Sequence, residues 1–185
     1  MQILYAARGT YDEFTNDEFG WKQYKEWSRL PQLDELVSLD GMLNEDLVEP
    51  DYNSAYDWEN IHVSGNIQTG FYHSVDFVLQ KMVKRDQFNF LAVIIEPTQD
   101  CSYHYFEGFE WMGYDLLDQY FSISALTNCG GFDESFLPSE LNHNGLLSDF
   151  NRAKEVQADL FTNNPNEDHA NTHCIAVWRN KDIGR

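Results

Sequence analysis

The sequence predicts an α+β fold in which helices pack on one face of a largely antiparallel sheet. Strand-like segments follow one another closely between residues 88 and 127, which favours antiparallel neighbours over βαβ crossovers. Residues 74–85 and 146–162 instead show the apolar spacing of amphipathic helices. The 185 residues are 42% hydrophobic, enough for a packed core. We expect a single domain over 1–185, with a helical N-terminal subregion at 1–60 and the sheet with two amphipathic helices at 61–185.

The N-terminal part should begin with a strand and continue into helices. Residues 3–7 are apolar and β-prone, and a helix is expected through Trp21 and Trp27 until Pro31 stops it. Apolar spacing at 33–37 predicts a second, shorter helix. Residues 44–60 contain six acidic residues and no clear periodicity, which predicts an irregular loop of the kind that often carries function. The competing interpretation is a polar linker between helices.

The rest of the chain alternates between strands and the two amphipathic helices. The apolar run from Phe88 to Ile95 predicts a buried central strand that ends at Pro97. Further strands are expected at 61–63, 103–109, 110–117, 121–127 and 174–178.

Charge is distributed very unevenly along this chain, whose net charge is -19. From Leu30 to Asn151 there are 21 Asp and Glu residues, and the three basic residues there are Lys81, Lys84 and Arg85. Such a field repels nucleic acid and anionic membranes and attracts basic partners. A salt-adapted surface is the competing explanation for part of the charge.

Cysteine usage and hydropathy favour a soluble protein of the cytoplasm. Cys101, Cys129 and Cys174 make an odd number without a CxxC motif, which is typical of reduced thiols. The start, MQILYAARG, lacks the basic region and long apolar core of a secretory signal. The longest apolar run, from Phe90 to Ile95, is too short to span a bilayer. We therefore expect a cytoplasmic protein that does not bind membranes.

Two places in the chain are candidates for enzyme chemistry. Cys129 precedes two glycines at the end of a predicted strand, where free backbone N–H groups suit an oxyanion. A buried thiol beside a tight turn is the competing interpretation. His169 and His173 have the spacing of a helical metal site, but they follow Pro165 and lead into a predicted strand. A loop beside a strand is the simpler explanation of these two histidines.

Sequence motifs for common cofactors do not occur. There is no Walker A loop, no GxGxxG and no GxSxG, so neither a nucleotide nor another cofactor is expected. We accordingly expect no catalytic residue, no metal ligand and a binding protein rather than an enzyme.

Acidic and aromatic residues occur together in two segments, and this mixture suits a basic protein partner. Carboxylates pair with Arg and Lys, while aromatic side chains anchor an interface. The first set of candidate contact residues comprises Glu45, Asp46, Glu49, Asp51, Tyr52, Tyr56, Asp57, Trp58 and Glu59. The second set comprises Glu110, Tyr114, Asp115 and Asp118. For the second set, a strand with Trp111 inward and solvated acids is an equally good interpretation.

Several segments between Gly113 and Arg179 resemble segments of small bacterial proteins. They read GYDLLD, SISALTNCGGF, LLSDFNRAKEVQADLF and HCIAVWR. In size and acidity the chain resembles the immunity proteins of bacterial toxin systems, including contact-dependent growth inhibition. This resemblance implies a cytoplasmic inhibitor that binds a toxin domain, often a nuclease. Immunity proteins have many folds, so the resemblance assigns no site residues.

The leading functional expectation is therefore an immunity protein that neutralises a basic toxin domain by occlusion and charge complementarity. It would contact no nucleic acid directly. A DNA-mimic or anti-restriction protein is the first alternative, and the irregular spacing of the acids disfavours it. An enzyme that uses Cys129, or His169 with His173, is the second.

Overall fold

The computed structural model describes residues 2–16, 18–128, 135–163, 165–167 and 169–184. They form one compact domain of the α+β class, as the sequence predicts, with a six-stranded antiparallel sheet. The strand order across the sheet is β2-β3-β1-β4-β6-β5. The strands are β1 (Leu4–Gly9), β2 (Ile61–Ser64), β3 (Ile67–Tyr72), β4 (Phe88–Ile95), β5 (Phe109–Leu117) and β6 (His173–Asn180).

The centre of the sheet confirms the strongest strand prediction. β4 has the predicted bounds, lies between β1 and β6 and pairs with both in antiparallel register. Both faces of β4 are covered, which explains why its sequence is apolar at every position but Asn89. The predicted strands at 3–7, 61–63 and 174–178 correspond to β1, β2 and β6, while β3 is an additional strand after the Gly65-Asn66 turn.

The helices pack on one face of the sheet. They are α1 (Glu18–Ser28), α2 (Ala55–Asn60), α3 (Val75–Lys81) and α4 (Phe150–Asn163). Alternate strand residues such as Ala92 and Ala176 join the core with α1 and α4, and Phe90 joins it with α3. In α4 the buried residues are Ala153, Val156 and Leu160, so its predicted apolar face is confirmed.

Irregular chain covers the opposite face. Val37, Leu39 and Phe121 pack there against the other set of strand residues, which includes Leu91 and Val177. The helix predicted at 33–37 is wrong, because this segment makes backbone hydrogen bonds to distant parts of the chain instead. Leu36 N–H donates to the carbonyl of Tyr11 at 2.9 Å, and Val37 N–H donates to that of Asn144 at 3.0 Å. Residues 2–16 and 18–60 thus contain an inner strand of the sheet together with α1 and α2.

Three other predicted elements also differ from the structure. No strand forms at 103–108 among the described residues, and Phe109 is the first residue of β5. No strand forms at 121–127 either, where Ser124 makes a single β-bridge with Leu117. The helix predicted at 74–85 ends at Lys81, because Val83 N–H donates to the Leu47 carbonyl at 2.7 Å.

Within the described residues, no helix combines the length and apolarity needed to cross a bilayer.

Candidate functional site

The first predicted set of acidic and aromatic residues forms an exposed surface around α2. Three aromatic side chains are largely open to solvent: Tyr52 is 54% exposed, Tyr56 is 50% exposed and Trp58 is 44% exposed. Three carboxylates of the same segment are also exposed. We call this the acid–aromatic surface, and its members are Glu49, Asp51, Tyr52, Tyr56, Trp58 and Glu59.

Local capping builds this surface. The prediction of an irregular loop over 44–60 is wrong for the last residues of that range, which form α2. This helix begins after Ser54, whose Oγ caps it by accepting from Asp57 N–H at 3.3 Å. Ahead of the cap, Ser54 N–H donates to the Asp51 carbonyl at 2.9 Å, and Asn53 N–H donates to the Asp51 carboxylate at 2.9 Å. These Asx and capping bonds fix the backbone on which the aromatic residues stand.

Asp57 is a buried residue that stabilises the segment around α2, and it is not part of the exposed surface. Its side chain is 1% exposed, and its Oδ2 lies 2.6 Å from Lys81 Nζ and accepts from Asp51 N–H at 2.7 Å. The hydrogen bond from Lys81 is the main reason that the pKa of Asp57 lies below its usual value. The expectation that Asp57 contacts a partner is therefore wrong, because its carboxylate is already enclosed and paired with Lys81 on α3.

The aromatic side chains are held by contacts of their own. Trp58 Nε1–H donates to the Tyr52 carbonyl at 2.8 Å, and the two rings lie 5.8 Å apart. Tyr56 packs against the fully buried ring of Phe77 with a centroid distance of 5.9 Å. Such fixed aromatic residues lose little conformational entropy on binding, which is typical of interface anchors.

Glu45 and Asp46 differ from the exposed carboxylates of the acid–aromatic surface because each has a cationic partner. Glu45 Oε2 lies 2.6 Å from Arg85 on an exposed part of the protein. Asp46 is partly exposed and lies 3.1 Å from Arg8, whose side chain is 3% exposed. Asp46 therefore neutralises a buried arginine, whereas Glu49 and Glu59 form no ion pair within the described residues.

The second predicted set is not a surface, which corrects that expectation. Tyr114 and Asp115 are 0% exposed and Asp118 is 4% exposed, so none of them is available to a partner. The interpretation that these acids are solvated is also wrong. Glu110 is partly exposed and is paired with Arg179 at 3.2 Å. Trp111 packs inward against Trp178, with ring centroids 4.9 Å apart.

Asp115 and Asp118 instead organise the loops that cover the sheet. Asp115 accepts from Ser124 Oγ at 2.6 Å and from Leu39 N–H at 2.8 Å, and burial raises the pKa of its carboxyl. Asp118 accepts from the backbone N–H groups of Ser122 and Ile123. A hydrogen bond of this kind satisfies a carboxylate that burial would otherwise destabilise.

Among the residues that the structure describes, His169 and His173 do not belong to a metal site. Cys129 lies outside the described residues. His169 is buried, whereas His173 lies in β6, where its ring stacks on Phe121 at 4.1 Å and its Nδ1 lies 3.7 Å from Glu96 Oε1. Across the described ranges, no group of three or more His, Cys, Asp and Glu side chains is placed to hold a metal ion.

The surroundings of Glu96 are a feature that sequence reasoning missed. Glu96 has a left-handed backbone with φ of 46°, which is uncommon for a residue other than glycine. It lines a cavity with Lys154, Gln157 and His173. The sequence offers little signal for this cluster, because its members are up to 77 positions apart between Glu96 and His173 and meet only through the sheet and α4.

Comparison with known proteins gives no relative for this chain. No protein-family model matches it, and no curated protein or solved structure is significantly similar to it.

Proposed function

We propose that this protein is an immunity-type inhibitor that uses the acid–aromatic surface to bind and occlude a basic toxin domain. The observation that carries the proposal is the combination, in one short segment, of anchored, exposed aromatic side chains with exposed carboxylates that form no ion pair within the described part of the chain. It requires no chemistry of the inhibitor itself. The proposed place of action is the cytoplasm.

Charge supports a basic partner. With a net charge of -19, the protein attracts cationic surfaces and repels nucleic acid. Nucleases have basic clefts that bind phosphate, so an acidic protein is suited to cover such a cleft. The proposed toxin domain is accordingly a nuclease. Asp57, Asp115 and Asp118 are buried and cannot contact a partner. Of the predicted contact residues, the exposed acids around α2 are therefore the ones that we propose to bind the toxin domain.

The two parts of the surface are expected to act on different steps. Glu49, Asp51 and Glu59 should speed encounter, so the association rate should fall as salt shortens the Debye length to about 8 Å at 0.15 M ionic strength. Tyr52 and Trp58 should be buried in the complex and set the dissociation rate. A salt-independent association rate would count against the proposal.

The test is affinity capture from a lysate of the source organism with matched variants. The tagged wild type, a Trp58→Ala/Glu59→Lys variant and a Tyr105→Ala/Glu107→Lys variant are washed at low and moderate salt, and retained proteins are identified by mass spectrometry. The second variant is the control, because it removes an exposed tyrosine and reverses an exposed acid outside the proposed surface. Purified captured protein is then assayed for nuclease activity with and without the inhibitor.

We expect one basic protein to be retained by the wild type and by the control variant but not by the Trp58→Ala/Glu59→Lys variant. The wild type should also inhibit the nuclease activity of that captured protein. Equal retention by all three proteins, or no retained protein, would contradict the proposed surface. Capture of many nucleic-acid-binding proteins that duplex DNA displaces would instead support the DNA-mimic alternative.

A further inference from the structure

The two edges of the sheet differ in how the chain covers them. At the β5 edge, Tyr114 N–H donates to the Leu147 carbonyl at 2.7 Å, and Ala125 N–H donates to the Leu116 carbonyl at 2.8 Å. These bonds use backbone groups that would otherwise be free to pair with a further strand. The opposite edge is β2, and in the described part of the chain β3 is the one segment that pairs with it. The chain therefore closes the β5 edge and leaves the β2 edge open.

The pairing of β2 with β3 shows which backbone groups face outward. The Asn60 carbonyl accepts from His73 N–H at 2.9 Å, and the His62 carbonyl accepts from Thr69 Oγ1 at 3.3 Å. The backbone groups of these even-numbered residues thus point toward β3 and the residue that follows it. Because successive residues of a strand alternate in direction, the odd-numbered residues of β2 point away from the sheet.

Ile61 and Val63 are the outward-facing residues of this edge. Ile61 N–H is already used, because it donates to the Asp57 carbonyl at the C-terminus of α2. Across the described ranges, Val63 N–H makes no backbone bond to a loop or turn, and the Val63 side chain is 42% exposed. The edge therefore presents the Ile61 carbonyl together with the N–H and the carbonyl of Val63.

The sequence of β2 does not protect this edge. Exposed edges are commonly blunted by Lys, by Pro or by a covering segment. The four residues of β2 are Ile-His-Val-Ser, which include no Lys, Arg, Asp, Glu or Pro. A strand of four residues offers few backbone bonds, so a partner also needs contacts next to the edge.

The acid–aromatic surface supplies such contacts. α2 leads directly into β2, so Glu59 lies two positions before Ile61. Ile61 packs in one core cluster with Phe77, and Tyr56 contacts the same Phe77 ring at a centroid distance of 5.9 Å. Side chains alternate along a strand, so Val63 is on the same face of β2 as Ile61. The open edge and the acid–aromatic surface are thus continuous.

We propose that the open edge of β2 binds an extended basic segment, which adds a seventh strand to the sheet. The inference rests on the proposed function for the source of this segment, which is the toxin domain. Backbone bonds to Val63 and Ile61 hold the added strand, and its Lys or Arg side chains pair with Glu59. Charge favours a basic segment over a second copy of this chain, because two copies with a net charge of -19 each repel one another.

The experiment is a titration of the ¹⁵N-labelled full chain with a synthetic peptide, followed by two-dimensional ¹H–¹⁵N NMR. The peptide is Lys-Thr-Val-Arg-Val-Thr-Lys with both ends blocked. The same peptide N-methylated at its three central residues keeps the charge but loses donors on both of its edges. The peptide Glu-Thr-Val-Glu-Val-Thr-Glu keeps the donors and reverses the charge. We expect saturable shifts of the His62, Val63 and Ser64 amides with the basic peptide, and at least about tenfold weaker binding of the other two.

Two variants at one position separate the backbone contact from the side chain. Val63→Pro removes an N–H that points away from β3, so the hairpin should still form, and binding of the basic peptide should weaken by about tenfold or more. Val63→Ala keeps the N–H and removes the exposed side chain, so the affinity should stay within about threefold of the wild type. If Val63→Pro does not fold, the N-methylated peptide still decides whether backbone pairing is needed.

Three outcomes would overturn the inference. Equal affinities for the basic peptide and its N-methylated form would show that the edge is not paired. Absence of saturable shifts in β2 would place the docking site elsewhere. Concentration-dependent shifts of the β2 amides without peptide would assign the edge to a second copy of the chain.

The peptide titration and the lysate capture fail independently. Capture of a basic nuclease that depends on Trp58 and Glu59, without peptide binding at β2, would contradict the edge alone. Peptide binding at β2 without a captured nuclease would contradict the inhibitor function alone.

Discussion

Replacing Glu96 with glutamine should remove a pH-dependent part of the stability of this protein. Burial by itself would raise the pKa of the Glu96 carboxyl, but the nearby His173 ring and the hydrogen bonds from Lys154, Gln157 and Cys174 N–H lower that pKa from 4.5 to about 2. A drop of about 2.5 in pKa corresponds to a ceiling of about 3.4 kcal/mol of stability at neutral pH. Because the side chain is 40% exposed, solvent screening reduces this contribution to about 1–2 kcal/mol.

The sign of the pH dependence follows from the lowered pKa. The unfolded chain binds a proton at Glu96 near pH 4.5, whereas the folded protein does so only near pH 2. The contribution is therefore fully present above about pH 5 and is lost as the pH falls through the folded-state pKa of about 2. Glu96→Gln should lower the free energy of unfolding at pH 7 by about 1–2 kcal/mol, and its deficit should shrink toward pH 2.

The assay is urea unfolding at pH 7, 5, 4 and 3, followed by tryptophan fluorescence and circular dichroism. Glu59→Gln is the matched control, because Glu59 is exposed and forms no ion pair within the described residues. Its unfolding free energy should follow that of the wild type at every pH. A Glu96→Gln variant as stable as the wild type at pH 7, or one with a constant deficit down to pH 3, would refute the reasoning.

Three further predictions concern packing and reactivity. Gly113→Ala should destabilise the protein by ~3 kcal/mol in urea unfolding, because Gly113 has φ of 138° and a Cβ there would lie 2.7 Å from the Leu147 carbonyl oxygen. Gly65→Ala is the comparison, because Gly65 has φ of 62° and a Cβ added there would meet no atom within 4 Å, so this change should cost only about 1 kcal/mol. Equal losses of unfolding free energy in Gly113→Ala and Gly65→Ala would contradict the role of the clash at Gly113. Phe77→Ala should cost about 3–5 kcal/mol and lower Tm by roughly 10 °C in calorimetry, since Phe77 is fully buried; a loss under about 1 kcal/mol would contradict its role in the core. Burial raises the pKa of Cys174 to about 12, so site-resolved mass spectrometry should find it unmodified by thiol reagents until the protein unfolds.

Strands with strong local signals could be predicted because their sequences are unambiguous. The run from Phe88 to Ile95 is apolar at every position but Asn89, and a fully buried strand needs such a run. The segment at 33–37 shows the limit of this reasoning. Its leucines and valine have helical spacing, yet its backbone pairs with Tyr11 and Asn144, and such distant hydrogen bonds leave no trace in a local pattern.

The aromatic members of the acid–aromatic surface could be predicted more fully than the acids. Tyr52, Tyr56 and Trp58 occur together in an acidic stretch, and all three are exposed. Which carboxylates accompany them depends on partners elsewhere in the chain. Asp57 is removed from the surface by Lys81, and Asp115 is enclosed by Ser124 and Leu39. Sequence spacing around an acidic residue does not reveal such partners.

The sequence by itself determined the class of the fold, the central strand and the strong negative charge, because composition and short-range periodicity are properties of the chain alone. Only the tertiary structure decided which acids face solvent, which segments cover the second face of the sheet and how Glu96, Lys154 and Thr172 meet at one cavity. The physical reason is that burial and ion pairing depend on residues brought together across the sheet. Asp57 beside Lys81 and Asp115 beside Ser124 are buried, whereas Glu49 and Glu59, which form no ion pair within the described residues, are exposed.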